Sequence, residues 1–495
     1  MTFAAIKAEN ELLKAEKKRL ELQVKVLQKE LYGSKADRRK PPEDSNQLTF
    51  SQIEEEIVEQ PPAPKAPAKS SRRPERKGAK KGPKPLNPNL PRVEEQIPNP
   101  DLKELICPHT GSAMKPAFTE KIEVLARKPA EYYVRVLVRQ VFTSPQGEAV
   151  AYSPWPGDVM PKSRIDASVV GSLLCARFAD HQPYHRQSGQ LARHGVNLAP
   201  NTMVSLVGLA EEKLAPVFDE VVRQTLACSY LMMDPTPVRL QDREKKGGTK
   251  EACLWTCRAL DGPVFFEFAT GKGGSTPAKT LKNYQGILQT DGANNFGGVP
   301  ARPDIIHLNC WVHVRRHFLK AEESGVPGAT GFLNAIDRLF RRERIIRRFR
   351  LDAVQTLELR RRQSLPEVDR IYAQALEFLQ KERTKKTYLS KAANYLLGRK
   401  ASLRECFLQA PSRIDNNLAE NALRPIKLGA KNWLFIGHPN AGPRAAMMFT
   451  LVENCRMLGI NPEAYIIDVL SRVDDHPMKR ISELTPHGWV KSKND

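Results

Sequence analysis

Long apolar runs are missing from this 495-residue chain. No stretch approaches the roughly twenty consecutive apolar residues that a membrane-spanning helix needs, which argues against a membrane protein. The first thirty residues are charged throughout and lack the apolar core of a secretory signal peptide. We therefore expect a cytoplasmic protein without a membrane partner.

Cysteine is scarce and irregularly placed. The eight cysteines show no disulfide-like spacing, which indicates a reducing compartment. Cys253 and Cys257 are four residues apart in a stretch that reads as a strand, so both would face the same side of a sheet. Packing is therefore a better interpretation of this pair than metal binding.

Acidic residues are too few to balance the basic ones. The chain has 78 lysines and arginines against 56 aspartates and glutamates, a formal net charge of +22. Such a balance favours nucleic acid as partner, because each neutralised phosphate releases counterions. An ordinary basic surface is the alternative. The length allows two or three domains.

The first hundred residues carry a heptad repeat and then a basic linker. The apolar seam of residues 3–31 predicts a parallel two-stranded coiled coil within 1–33, and hence a homo-oligomer. One amphipathic helix packed on its own chain is the alternative. Residues 34–100 turn into a Pro-, Lys- and Arg-rich stretch, which predicts a disordered linker. Its charge would give non-specific DNA affinity. The alternative is that the stretch is only a solvated spacer.

Two regions precede the central part of the chain. Residues 101–160 begin like a zinc module, but Thr110 stands where a second cysteine belongs, and Cys107 and His109 alone cannot make a four-ligand site. A metal-free remnant of such a module is the better interpretation. Residues 161–226 read as helical, with a glycine turn at Gly195 whose spacing suits a helix-turn-helix DNA-binding region; helical scaffolding is the alternative.

Three carboxylates stand where a metal site would need them. The apolar run 228–233 predicts a buried strand that ends at Asp234, and Ile287–Thr290 predicts another that ends at Asp291. Glu420 lies in a predicted short helix closed by Pro425. Two strand-end aspartates and a helical glutamate could hold two divalent ions, an arrangement that serves phosphoryl transfer.

The residues between these carboxylates predict an α/β core over 227–440. Two β-rich runs flank Asp261-Gly262 and predict a hairpin. A helix over 277–284 and a strand over 304–308 complete the order strand, hairpin, helix, strand, strand, which matches an RNase H-like core. Residues 331–410 are helical and basic, and we interpret them as a helical insertion before the last carboxylate.

Basic side chains accompany the carboxylates on the predicted helices. Arg315 and Arg316 follow Cys310 on a helix where they could face phosphates, and a surface charge run is the alternative. A second group follows Glu420 and is predicted to position the DNA backbone, against the alternative of helix-end charges in solvent: Arg424, Lys427 and Lys431. Asn416 and Asn417 are interpreted as caps of the Glu420 helix.

Five short motifs stand out along the chain: Ile414-Asp415-Asn416-Asn417-Leu418-Ala419-Glu420, Gly429-Ala430-Lys431-Asn432-Trp433-Leu434-Phe435, Asp234-Pro235-Thr236, Asp291-Gly292 and Cys310-Trp311-x-His313-x-Arg315-Arg316. Together they resemble the signature blocks of the IS66 family of transposases. The resemblance spans nearly the whole chain, including the helical region 441–495. It implies a DDE core with Asp234, Asp291 and Glu420 as metal-binding catalytic residues and Mg²⁺, or alternatively Mn²⁺, as cofactor.

The resemblance also implies an activity and its partners. The expected protein is the DNA transposase of a bacterial insertion sequence. It would bind terminal inverted repeats and target DNA near the nucleoid, with accessory proteins of the same element. The chain departs from the family in its incomplete zinc ligands, so zinc is not expected, and in Asn421 and Ala430, which stand where arginines are usual. The alternatives are a transposase-derived DNA-binding regulator or inactive copy, and an RNase H-like nuclease without strand transfer.

Overall fold

The computed structural model describes most of the chain beyond residue 131. The described ranges are 132–138, 141–143, 150–152, 156–161, 163–242, 248–293, 295–296, 298–382 and 387–494. All the described helices and strands belong to the unit that includes Leu137–Asp495. The predicted coiled coil, linker and zinc-module ligands lie outside the described residues.

A short antiparallel pair precedes the first helices. Strands β1 (Val141–Thr143) and β2 (Val150–Tyr152) pair with each other. Three helices follow: α1 (Ala167–Phe178), α2 (Tyr184–Arg193) and α3 (Pro200–Leu226). Residues 132–138 have no regular secondary structure.

The predicted helix–glycine turn–helix is present, and its second helix is long. Gly195 has φ +78°, a left-handed conformation that favours glycine, and it follows the end of α2. Helix α3 then runs for 27 residues. Its buried side chains continue over the whole length, so packing against the body extends it. DNA reading by this region stays a prediction.

A five-stranded mixed sheet forms the centre of the fold. The spatial order is β5-β4-β3-β6-β7. Strand β3 is antiparallel to β4 and parallel to β6, and β6 is parallel to β7. The strands are β3 (Tyr230–Gln241), β4 (Thr249–Ala259), β5 (Val264–Ala269), β6 (Gly286–Thr290) and β7 (Ile305–Asn309).

The predicted hairpin is confirmed, whereas two element boundaries were wrong. Strands β4 and β5 flank Asp261-Gly262 in register, and α4 (Ser275–Thr280) connects β5 to β6 but is shorter than the predicted helix. Strand β3 does not end at Asp234 but continues for seven residues, because β4 pairs with it along its whole length to Gln241. Asp234 is therefore inside a strand rather than at its end.

Helices cover both faces of the sheet. One face packs Tyr230 and Met232 against α5 (Trp311–Glu323) and the helices after it. The opposite face packs Leu231 and Met233 with the strand β4 residues Cys253, Trp255 and Cys257. The cysteine pair is thus in the apolar core, as its spacing indicated. Side chains alternate between the two faces of the sheet along β3, so Tyr230 and Met232 face one layer and Leu231 and Met233 face the other.

The remaining elements are helical. The region between β7 and Glu420 contains α6 (Ala329–Phe349), α7 (Ala353–Leu359), a π-helical turn (Arg360–Ser364), α8 (Leu365–Lys381), α9 (Tyr388–Leu397) and α10 (Lys400–Glu405). Next come α11 (Asn417–Trp433), α12 (Ala441–Leu458), α13 (Pro462–Arg472) and α14 (Pro486–Asn494). Two 3₁₀ turns are at Val299–Ala301 and Met478–Leu484. Among the residues described, no helix is long and apolar enough to cross a membrane.

Helix α12 covers the edge strand β5 and bonds to its backbone. Asn454 Oδ1 accepts from the Val264 N–H (3.1 Å), and Asn454 Nδ2 donates to the Val264 carbonyl (2.7 Å). Thr450 Oγ1 accepts from the Phe266 N–H (2.9 Å). An exposed strand edge invites pairing with other chains. Two side chains of one helix close this edge instead.

Asn454→Ala should therefore destabilise the fold. Both groups of Val264 would remain buried without these bonds, a loss of about 2–4 kcal/mol in the free energy of unfolding. Chemical denaturation measures it. Asn440→Ala, at the start of the same helix and exposed with no side-chain cap bond, is the matched control and should change stability by less than about 0.5 kcal/mol. Equal effects in both variants would contradict this role for Asn454.

Candidate active site

Asp234 and Asp291 lie side by side on neighbouring parallel strands. The register of β3 with β6 pairs Tyr230 with Ile287 and Met232 with Gln289. Continued by two residues, it sets Asp234 beside Asp291, the first residue after β6. The carboxyl ends of parallel strands are where α/β proteins display reacting groups. The two aspartates thus meet although 57 positions separate them in the chain.

Asp234 is buried and surrounded mainly by negative charge. Burial raises its pKa well above the ordinary range, and the carboxylates of Asp291 and Glu420 raise the pKa further. The cations of Lys427 and Arg316 act in the opposite direction. All three predicted carboxylates therefore share one electrostatic neighbourhood. Such a cluster costs free energy unless a proton or a cation neutralises it.

Glu420 comes from the first turn of α11, which packs against β3. Its Oε2 accepts from Arg316 Nη2 (3.2 Å), and its Oε1 is 3.9 Å from His313 Nδ1. Oε1 is buried and, within the described residues, has no hydrogen-bond partner. The Glu420 carboxylate thus keeps an oxygen available for a further ligand.

The start of α11 is attached directly to strand β3. Asn416 Nδ2 donates to the Met233 carbonyl (3.1 Å), next to Asp234. The cap predicted for this asparagine is wrong: Asn416 occupies the N-cap position, but its side chain makes no capping bond. The helix also does not end at Pro425, which lies inside it. Packing of its buried face against β3 and β4 carries the helix past the proline.

Tyr395 of α9 and Arg399 at the start of α10 support the loop that carries Asp291. Tyr395 OH donates to the Asp291 carbonyl (2.9 Å), and Arg399 Nε donates to the Gly292 carbonyl (2.9 Å). The guanidinium of Arg399 also lies 4.0 Å from the centre of the Tyr395 ring, and the His317 ring stacks on the Tyr395 ring with 4.1 Å between the ring centres. Sequence reasoning missed Tyr395 and Arg399, because nothing in the sequence links them to a residue about a hundred positions earlier.

Gly292 has to be glycine for two separate reasons. Its φ is +85°, and a Cβ atom there would lie 2.7 Å from Arg399 Nε and 3.0 Å from Tyr395 OH. Gly298 has a similar φ of +78° but open space around a Cβ. Comparison of Gly292 with Gly298 therefore separates the cost of backbone strain from the cost of the steric clash.

We expect Gly292→Ala to cost more stability than Gly298→Ala. The left-handed conformation should cost both variants about 1–2 kcal/mol. Gly292→Ala should lose about 1–3 kcal/mol more, because the added methyl displaces the two supporting side chains. Urea unfolding gives both values. An equal loss would show that the space around Gly292 is not limiting.

The predicted basic residues divide into two groups. Arg315 pairs with Asp337 on the next helix (2.8 Å), and Arg316 pairs with Glu420. The second group is exposed on α11 with spacings of four, three and four residues from Glu420, so it forms one row on the helix face: Arg424, Lys427 and Lys431. Contact of either group with DNA stays a prediction. His317, on the same helix as Arg315 and Arg316, is half-buried, and burial lowers its pKa to about 4.

A thiol and an imidazole also approach Glu420. Ligand atoms of Cys310, His313 and Glu420 all lie within 4.8 Å of one another, the one such group of potential metal ligands in the part of the chain that the structure describes. Burial raises the pKa of the Cys310 thiol to about 12, and its sulfur accepts from the Asn416 N–H (3.3 Å). Cys310 is therefore a packed thiol rather than a ready thiolate ligand. None of the seven described cysteines forms a disulfide bond.

Fold and site define a mixed α/β protein with an acidic cluster where its parallel strands end, bordered by arginines and by a row of exposed cations. Residues 162–444 match the family model described as "Transposase IS66 family". Residues 450–487 match "IS66 C-terminal element", and residues 19–94 match "Transposase C of IS166 homeodomain". The chain belongs to the IS66 family of transposases, which confirms the resemblance seen in its motifs.

Similar proteins carry no functional description. An "Uncharacterized protein y4hP" of Sinorhizobium fredii (strain NBRC 101917 / NGR234) is 29% identical, with 96% of this chain and 89% of that protein covered. "Uncharacterized protein y4qI" of the same strain is 26% identical, with 94% and 87% covered. Family membership makes the chain an insertion-sequence transposase with DNA as partner.

Proposed function

We propose that this transposase cuts DNA at the ends of its element and joins them to target DNA by a DDE mechanism. The observation that carries the proposal is the meeting of Asp234 and Asp291 on adjacent parallel strands, with Glu420 on the helix packed beside them. The carboxylates of Asp291 and Glu420 both act on Asp234, and this mutual repulsion destabilises the fold unless a cation neutralises it. A divalent cation bound by the three carboxylates would do so.

The sheet supports an RNase H-like core. Its first strand is central, two antiparallel strands lie on one side, and two parallel strands lie on the other. Asp234 is on the central strand, and Asp291 follows its parallel neighbour. The helices between β7 and α11 would be the insertion that separates Glu420 from the aspartates.

The three carboxylates suit hard divalent cations. Mg²⁺ prefers oxygen ligands. The pKa of Asp234 is raised by burial and then by its two acidic neighbours, and Glu420 Oε1 is a buried acceptor with no hydrogen-bond partner among the described residues. Asp234, Asp291 and Glu420 would hold Mg²⁺, or Mn²⁺ in its place. Bound ions would supply activation of the attacking oxygen and stabilisation of the leaving oxygen.

The surrounding residues have distinct roles in this proposal. Tyr395 and Arg399 hold the Asp291 loop through its carbonyls, and Asn416 fixes the start of α11 against β3. Arg316 holds the Glu420 carboxylate, and the cationic row on α11 would contact the phosphates that flank the scissile bond. Positioning of this kind supplies much of the rate in phosphoryl transfer.

The reaction has two balanced steps. Water attacks the phosphorus at the element end, one P–O bond forms as another breaks, and a 3′-hydroxyl is released. That hydroxyl then attacks a phosphodiester of target DNA, again exchanging one P–O bond for another. Neither step needs a covalent intermediate with a side chain.

The N-terminal part of the chain would bind partners rather than take part in the chemistry. We propose that residues 1–33 join copies of the chain through a coiled coil, and that residues 161–226 bind the terminal repeats. Accessory proteins of the same element would act with it. The incomplete ligand set at Cys107 and His109 argues against zinc.

The test is a product analysis with wild-type protein. Duplexes carrying the inverted repeats that bound the gene are incubated with Mg²⁺, Mn²⁺ or EDTA, and nicked and joined strands are resolved separately. Metal-dependent nicks followed by joined products are expected. Nicks without joining would favour the nuclease, and binding without nicks the regulator or inactive copy; either result would overturn the proposal.

A further inference from the structure

The turn after α11 presents two large apolar side chains to solvent. Leu434 is 64% exposed and Phe435 is 40% exposed, in direct succession. Single exposed apolar residues are ordinary, but adjacent ones at the tip of a turn are a feature of contact surfaces. This pair, Leu434 and Phe435, is called the apolar tip.

The backbone of the apolar tip is strained. Leu434 has φ +63° and ψ −49°, and the Phe435 N–H donates to the Trp433 carbonyl two residues earlier (2.7 Å). Such γ-turns are rare and strained, and a leucine adopts them less readily than a glycine. Residues held in sparsely populated conformations concentrate at functional sites. Because Leu434 is largely exposed, its side chain contributes little to the packing of the fold.

Both ends of the turn are anchored firmly. Trp433 is buried, and the Arg177 guanidinium lies 5.5 Å from the centre of its ring. On the other side, the Ile436 N–H donates to the Arg239 carbonyl, and the Ile436 carbonyl accepts from the Gln241 N–H, each at 2.8 Å. Through these bonds Ile436 pairs with β3 beside Leu240, near the end of that strand. The tip is therefore a rigid projection.

The apolar tip continues the cationic row of α11. Arg424, Lys427 and Lys431 are exposed between Glu420 and the tip. Fourteen residues of helix separate Glu420 from Leu434, a distance of about 21 Å, which corresponds to about six base pairs of B-DNA. Three cations followed by an apolar projection suit a polyanion with an apolar interior, which is duplex DNA.

We propose that Leu434 and Phe435 insert into the DNA duplex and unstack a base step about six base pairs from the cleaved phosphate. This inference rests on the proposed function. Apolar wedges of leucine and phenylalanine kink duplexes in this way, and the Phe435 ring offers a face on which a displaced base stacks. The cations would hold the backbone while the tip enters the stack.

Fluorescence of 2-aminopurine tests the insertion directly, because unstacking raises its emission. Inverted-repeat duplexes carry the probe at one position at a time and are bound by wild type, Leu434→Gly or Phe435→Ala in EDTA. Wild type should raise the emission at one step, and both variants should lose that rise. The affinity of Phe435→Ala for the duplex should fall about tenfold or more, as for the loss of one base–aromatic stack.

Two controls separate insertion from folding and from the chemistry. Leu434→Gly relieves the strained φ, so its melting temperature should equal or exceed that of wild type. Leu376→Ala removes a leucine that is 52% exposed on α8 and should keep the fluorescence rise. Glu420→Gln should unstack the step without cutting, so a failure of the chemistry is distinguishable from a failure of the tip.

The proposal is overturned if wild type raises emission at no position while it still cuts DNA. It is also overturned if Leu434→Gly keeps the rise. A lower mass of DNA-free Leu434→Gly in light scattering would instead assign the tip to contacts between copies of the chain.

Discussion

Glu420→Gln should abolish strand cleavage and joining while DNA binding persists. The substitution keeps the size of the side chain but removes the charge that would attract a divalent ion. When residues act as one catalytic unit, loss of a single member costs about 10³-fold or more in rate. Asp234→Asn should have an effect of the same order, because the two carboxylates belong to one cluster. Single-turnover cleavage of the inverted-repeat duplex measures both rates.

The matched control is Glu377→Gln, which alters an exposed glutamate paired with Lys381 on α8. Cleavage by this variant should equal that of wild type. Glu420→Gln should also keep its cooperative unfolding, since the Glu420 carboxylate is only partly buried. Full cleavage by Glu420→Gln would remove this residue from the chemistry and leave the acidic cluster with another purpose.

Arg360→Met should strongly destabilise the fold. Arg360 is 1% exposed and Glu343 is 2% exposed. The two form a bidentate pair, with Nε to Oε1 at 2.9 Å and Nη2 to Oε2 at 2.6 Å. Removing one partner of a buried pair leaves an uncompensated charge, at a cost of about 3–5 kcal/mol.

The same arginine also closes the turn that leads to α11. Arg360 Nη1 donates to the Gln409 carbonyl (2.7 Å), and Nη2 donates to the Ser412 carbonyl (2.8 Å). The loss of these bonds should add to the effect on stability. Denaturant unfolding of the variant is the measurement, and a change below about 1 kcal/mol would show that the interior tolerates the lone Glu343 carboxylate.

Two further variants define the cause. Arg362→Met makes the same substitution two residues away, where the arginine side chain is 70% exposed in a pair with Glu358; it should cost about 0–1 kcal/mol. The double variant Arg360→Met with Glu343→Leu should recover part of the loss, because no buried charge remains unpaired. No recovery would assign the whole effect to the lost bonds of the turn.

Local pattern was sufficient for the elements of the sheet. The Asp261-Gly262 turn between two β-rich runs predicted the β4–β5 hairpin, and the stretch Ile287–Thr290 predicted β6. These signals are short-range, since a turn and its flanking strands lie within a few residues. The motif residues around Glu420 identified the family for the same reason: they are contiguous in the chain.

Boundaries set by distant partners could not be read in this way. Strand β3 continues beyond Asp234 because β4 pairs with it, and α11 continues beyond Pro425 because its apolar face packs on the sheet. Proline ends an isolated helix more readily than one held by tertiary packing. The Asn416 side chain also bonds to a distant element: its Nδ2 donates to the Met233 carbonyl of β3, and it makes no capping bond to its own helix.

The sequence by itself determined which side chains are available for the proposed chemistry: two aspartates after apolar runs, a glutamate in a helical stretch, and cations at helical spacing beyond Glu420. Only the tertiary structure decided their assembly. The parallel register of β3 with β6 sets Asp234 beside Asp291, and residues of the insertion hold the Asp291 loop. Contacts across a hundred residues depend on how layers pack, and no local propensity contains that information.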